Sequence, residues 1–309
     1  VGATSIVNPT TPVCGNSNQP IDVVIFNYSP TTINFALNNV TVNVSITGAS
    51  IQTFNSPVIS SGSLASGASM VVNVTPSCNL SAIGVHTFNA TTVNFSDVNA
   101  TNNAMAPTDV VVTAQPTPAN AGSDQSFCVP TGNLSGNTPI VGVGTWTLIS
   151  GSGVPSSPNS PTSAITGLGT GPNTFRWTIS NPPCPDSFDD VIITGEAPPT
   201  IVLTSAPGTN AQTVCVNNAI TPVTYTIGGS ATGAFASGLP GGVNGVFSAG
   251  TFTISGTPAL AGTYNYTVTT TGGLCAPVVQ PGSITVNPDA TITLTSAVGT
   301  DNQTICINN

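Results

Sequence analysis

The stretch VTVNVSI, Val40 to Ile46, decides the fold. Val40, Val42, Val44 and Ile46 fall on one side of an extended chain, and Thr41, Asn43 and Ser45 fall on the other. This period of two fits a half-buried strand and cannot make a single apolar stripe on a helix. NTFRWTI, Asn173 to Ile179, repeats the pattern with Phe175, Trp177 and Ile179 inward and Arg176 outward. TFTIS, TYNYTVTTT and GSITVNP continue it in the last third, with Gly, Pro, Asn and Ser clusters between the runs. β-Branched Val, Ile and Thr dominate, and helix-forming stretches are nearly absent. Short strands at intervals of about 8 to 12 residues, separated by turn residues, predict an all-β chain of antiparallel sandwiches.

Working outward, the strands fall into modules. TITLTSAVGTDNQTICINN (Thr291 to Asn309) matches TIVLTSAPGTNAQTVCVNN (Thr200 to Asn218) at 13 of 19 positions, 91 residues apart. A fixed spacing of this size marks repeated structural units. Proline-rich seams at TAQPTPANAG (Pro116, Pro118), GEAPPT (Pro198, Pro199) and NPDAT (Pro288) divide the chain into modules over 1–115, 116–197 and 198–288. A further repeat begins over 289–309 and is expected to continue past Asn309. Short, stiff seams predict a semi-rigid extended rod.

Charge narrows the function classes. Arg176 is the only Lys or Arg among 309 residues, against ten Asp and Glu, for a net charge of −9. A nucleic-acid partner needs a basic patch, and none can be assembled; an acidic membrane surface is disfavoured for the same reason. A spanning helix needs a largely apolar run of about 20 residues, and the sequence has no such run, so direct membrane insertion by a helix is not expected. The absence of lysine excludes lysine Schiff-base chemistry and Lys–Asn isopeptide crosslinks.

Seven cysteines stand at 14, 78, 128, 184, 215, 275 and 306. Taken within modules they predict three disulfides at near-equal spacing, Cys14–Cys78, Cys128–Cys184 and Cys215–Cys275. Each closed loop, roughly 60 residues long, would stabilise its module by roughly 4 kcal/mol in the chain-entropy model. Cys306 aligns with Cys215, so its partner is expected beyond the sequence at hand. Disulfides imply an oxidising, extracellular location.

Candidate chemistry is sparse. His86, in GVHTFNAT, reads as an outward strand residue rather than a general base. SDVNATNN offers Asp97, Asn99, Asn102 and Asn103, and CPDSFDD offers Asp186, Asp189 and Asp190, as oxygen ligands for calcium; the competing reading is side-chain-capped turns. No other cofactor is expected. Trp146 and Trp177 are either a sugar-stacking surface or core residues, and a sandwich core is the stronger reading, with Phe175 beside them. Asn43, Asn73, Asn89 and Asn265 stand in Asn-x-Ser/Thr sequons. The loops around Gly238–Gly242 and Gly256-Thr257-Pro258 lack a following helix and Lys, and read as turns rather than phosphate loops.

Longer segments carry resemblances. DVVIFNYSP, VNVSITG, GSLASGASMVVNVTP and FSDVNATNN in module one resemble bacterial cell-adhesion-related Ig-like domains. NAGSDQSFC, GTWTLISGSG, NTFRWTIS and CPDSFDDVII in module two look like repeats of giant Bacteroidetes surface proteins, loosely related to polycystic-kidney-disease-type (PKD) domains. GLPGGV and FTISGTPALAGTYNYTV in module three are similar to the Ig modules of those same proteins. Within that class the chain resembles the gliding-motility adhesins exported by the type IX system. The resemblance implies tandem Ig-like sandwiches and a non-catalytic segment of a long cell-surface adhesin filament. Partners would be surface glycans, other cell-surface proteins and neighbouring repeats. The alternatives are an accessory region of a secreted glycan-degrading enzyme and a carbohydrate-binding module.

Overall fold

A computed structural model describes residues 1–296 apart from 17, 95, 98, 291 and 294. Cys306, and with it most of the terminal repeat, lies outside the described residues.

The first unit contains β1 (Gly2–Asn8), β2 (Val13–Cys14), β3 (Gln19–Phe26), β4 (Ile33–Asn34), β5 (Thr41–Gly48), β6 (Gln52–Asn55), β7 (Ser63–Leu64), β8 (Ser69–Cys78), β9 (Gly84–Val93) and β10 (Thr108–Thr113). They form a sheet ordered β1-β3-β8, a second ordered β2-β10-β9-β5-β6, and the small pair β4-β7. The second unit contains β11 (Gln125–Cys128), β12 (Thr131–Ser135), β13 (Val143–Ser150), β14 (Val154–Pro155), β15 (Thr162–Thr166), β16 (Gly171–Ser180) and β17 (Ser187–Glu196), in sheets β11-β17-β16-β13 and β12-β15-β14. The third contains β18 (Thr200–Leu203), β19 (Ala211–Cys215), β20 (Val223–Gly228), β21 (Gly233–Ser237), β22 (Val243–Ser248), β23 (Thr251–Gly256), β24 (Gly262–Thr271) and β25 (Val279–Asn287), in sheets β18-β20-β23-β22 and β19-β25-β24-β21. No α-helix occurs among the described residues; one short 3₁₀ turn spans Ala100–Asn102.

Alternation builds each core. Val42, Val44 and Ile46 of β5 are buried with Val40 just before it, and meet Ile21, Val23 and Ile25 of β3 from the opposing sheet. Trp146 and Trp177 face each other across β13 and β16, with ring centroids 4.9 Å apart, and Phe175 and Ile179 continue the same buried face. In the third unit Tyr225, Phe252, Tyr266 and Val268 fill the interior. The Tyr225 and Tyr266 hydroxyls lie 3.4 Å apart, and Tyr266 Oη donates to the Asn210 carbonyl, so both polar tips are satisfied.

His86 corrects one expectation. It is fully buried, not outward, on the same face of β9 as Phe88 and Ala90. Its Nδ1 lies 3.1 Å from Ser50 Oγ and its Nε2 2.8 Å from the Ala82 carbonyl, so a loop on each side satisfies the ring. A polar ring is tolerated inside because both nitrogens keep partners.

The disulfides correct another. Cys14 is joined to Cys184 and Cys128 to Cys275, while Cys78 and Cys215 are thiols. The expected bridges within units, Cys14–Cys78, Cys128–Cys184 and Cys215–Cys275, are not formed. Each observed bridge instead joins one unit to the next, because the two ends of each expected pair lie in different places within a unit.

Candidate functional site: the intermodule seams

Three cysteines occupy one structural position. Cys14 ends β2, which runs parallel to the last strand of its unit and sits opposite Thr113, the final residue of β10. Cys128 ends β11 in the same way, opposite Glu196 at the end of β17. Cys215 ends β19, opposite Asn287 at the end of β25. In all three the next residue donates its backbone N–H to that final residue: Gly15 to Thr113, Val129 to Glu196 and Val216 to Asn287.

Two other cysteines share a second position. Cys184 lies in the hairpin loop joining β16 to β17, four residues past Ser180, and Cys275 lies in the loop joining β24 to β25, four residues past Thr271. Each loop reaches back over the exit of the preceding unit. The Cys184 sulfur lies 3.3 Å from the Ala114 carbonyl, and the Cys275 sulfur 3.7 Å from the Glu196 carbonyl. Both loop cysteines are buried. The Cα–Cα separations of the bridges, 4.7 and 5.4 Å, lie within the range such bonds require.

Hydrogen bonds reinforce the seams. Asn181 Nδ2 donates to the Ala114 carbonyl at 2.7 Å, and Gln115 Nε2 donates back to the Gly15 carbonyl at 3.0 Å. At the second seam Ser230 N–H donates to the Ala197 carbonyl, and Gly229, at φ +67°, lies so close to the Pro198 carbonyl that a Cβ would overlap it. An open hollow of about 350 Å³ beside the first seam is lined by Cys14, Gln115, Pro116, Pro185 and Asp186.

The two sets of calcium candidates differ: Asp97, Asn99, Asn102 and Asn103 draw together, with the Asn103 side-chain amide 3.0–3.2 Å from Asn99 O, Asn102 Oδ1 and Asp97 Oδ2, whereas Asp189 and Asp190 turn to separate partners. Asp97 Oδ2 accepts from the Val1 amino group at 2.9 Å, Asp97 Oδ1 from Asn99 N–H, and Asn99 Oδ1 from Thr101 N–H and its hydroxyl. Burial alone would raise the Asp97 carboxyl; the bonds from the amino group and from Asn99 outweigh it and hold the carboxyl below its usual range. Asn102 and Asn103 follow in the same turn, where Asn103 O accepts from Ala3 and Thr92 N–H groups. Asp189 Oδ2 accepts from Ala121 N–H, whereas Asp190 binds Arg176 through Nε at 2.8 Å and Nη2 at 2.9 Å. The hydrogen bonds from Arg176 lower the Asp190 carboxyl pKa, and the guanidinium also stacks 4.1 Å from the Phe188 ring centre. Among the described residues no three His, Cys, Asp or Glu side chains cluster as a metal site would.

The tryptophans offer no sugar platform, since Trp146 and Trp177 are 2% and 0% exposed and Trp146 Nε1 donates to the Ser160 and Pro161 carbonyls. Two buried asparagines escaped the sequence reading. Asn27 Nδ2 donates to Thr31, Leu64 and Ala65 carbonyls, and Asn173 Nδ2 to Gly169, Gly171 and Ile193 carbonyls, each pinning loops to a strand end. Asn173 occupies an inward slot of NTFRWTI, which was the available signal.

No family model matches the chain, and no curated protein matches it. Among solved structures it is similar to the Dpr2 Ig1-Ig2 and DIP-Theta Ig1-Ig3 complex, at 11% identity and a TM-score of 0.40, over 92% of this chain and 99% of that one. The insect immune protein hemolin gives 10% identity and a TM-score of 0.36, over 93% and 76%. The PKD domain of the KIAA 1837 protein gives 22% identity and a TM-score of 0.23, over 26% and 85%. At these scores the likenesses add nothing to the all-β sandwiches that the sheets themselves show.

Proposed function

We propose that this chain is a non-catalytic structural segment of a long extracellular surface adhesin, acting in cell-surface attachment, and in gliding motility where the cell glides. Type IX export would deliver it to the surface. The observation that supports this reading is the pair of disulfides that join three Ig-like units in series. Such bonds persist in an oxidising, exposed setting, and bridges placed at seams serve spacing between units rather than the stability of any one of them. A surface poor in charge and rich in Asn, Ser and Thr fits a spacer that presents other domains to proteins or glycans on a facing surface. The test is removal of the coding region for 1–288 in the source organism, with antibody labelling of intact parental cells. Labelled parental cells and a mutant that attaches several-fold less support the reading. Unlabelled intact cells, or unchanged attachment, overturn it.

A further inference from the structure

We infer that Cys215 is the next staple in the series: its thiol forms a disulfide with the hairpin-loop cysteine of a following Ig-like module. The inference stands on geometry and does not require the adhesin reading. Cys14 and Cys128 occupy the strand-end position that Cys215 occupies, with the same parallel neighbour and the same backbone hydrogen bond one residue on. Both counterparts are bridged forward to the next unit, and both are half-buried beneath the loop that reaches back to them. Cys215 alone is exposed, at the one seam position of the three with no such loop over it among the described residues.

The partner is specified by the same rule. It is a cysteine in the loop between the last two strands of the module that opens with 291–309, four residues past the end of the first of those strands. By the repeat spacing it stands about 91 residues after Cys275. Cys306 is not that partner, because it aligns with Cys215 and so belongs to the strand-end set. Neither loop cysteine of a second copy of this chain is available, since Cys184 and Cys275 are already bonded. Cys78 is excluded by its setting: it is fully buried in the first unit, and burial pushes its thiol up to about 11, which leaves little thiolate to react. In the bond-forming step the two thiols give up two protons and two electrons to a disulfide oxidant, which leaves as its dithiol.

The experiment is peptide mapping without reduction, on the protein isolated from its source and alkylated at lysis. With one tryptic site in 309 residues, chymotrypsin and an Asp-specific protease replace trypsin. The expected result is a Cys215 peptide linked to a cysteine downstream of Cys306, alongside Cys14–Cys184 and Cys128–Cys275. A Cys215 peptide found alkylated, or linked to Cys78, Cys275, Cys306 or another Cys215, overturns the inference. None of these outcomes depends on whether the protein mediates attachment, so failure here is separable from failure of the functional proposal.

Discussion

At the scale of single residues, close packing around the tryptophan pair sets the tolerance of the second unit. Gly144 lies on β13 beside the Trp177 ring, and a Cβ added there would overlap the ring carbons. The backbone at Gly144 has no need of positive φ, so the constraint is space and not conformation. Gly144→Ala must therefore displace a fully buried indole, and overpacking of this kind costs about 1–3 kcal/mol. We expect a lower urea midpoint for the second unit with an unchanged slope; an unchanged midpoint would show that the core absorbs the methyl freely. His86 teaches a related lesson about reading residues one at a time. Its polarity argued for the outside, but its register with Phe88 and Ala90 placed it inside, and the register was visible in GVHTFNAT all along. Periodicity outweighs the identity of one residue when partners for its polar atoms are at hand.

At the scale of elements, strand existence was legible wherever one face is buried. VTVNVSI, from its second residue, and NTFRWTI lie in β5 and β16 with the expected residues inward, and the alternating runs TFTIS and GSITVN fall in β23 and β25. The short parallel strands were not legible. β2 has two residues and β11 has four, too few to show a period, and each pairs along one edge with a strand far away in sequence. So short an edge strand has little of its own to hold it, and in this protein the disulfide at its end fixes it in place. Reducing both bonds under native conditions should therefore speed amide exchange in Val13–Cys14 and Gln125–Cys128. Measured on a recombinant chain of residues 1–309, in which Cys215 is a thiol, Ala211–Cys215 should be unaffected. An equal change in all three strands, or none, would show that pairing and not the bridge retains them.

At the scale of the whole molecule, composition and repeats gave an all-β tandem architecture, while the cysteine pairing could not be read from spacing. In the second and third units the near-equal intervals arise because both repeat the same strand-end and loop positions, not because those positions touch; Cys78, at the end of β8, holds neither position and matches the interval without sharing the pattern. Contact is made between the strand-end cysteine of one unit and the loop cysteine of the next, and only the stacking of units shows it. The resulting covalent graph has a mechanical consequence. Cys14 and Cys275 stand near opposite ends of the chain, yet the shortest bonded route between them crosses to Cys184, runs backward through the second unit to Cys128, and crosses again to Cys275. At about 3.4 Å per residue that caps extension between those points at about 190 Å, against about 890 Å for the open chain. Tension applied at the two ends would bypass most of the first and third units and load the middle one in the reverse of its chain direction. Single-molecule pulling should accordingly give one major rupture in the oxidised protein and three after reduction; three in both states would mean the bridges do not carry the force. A tether wired in this way has a hard stop: it yields once, at its centre, and then behaves as an inextensible strap.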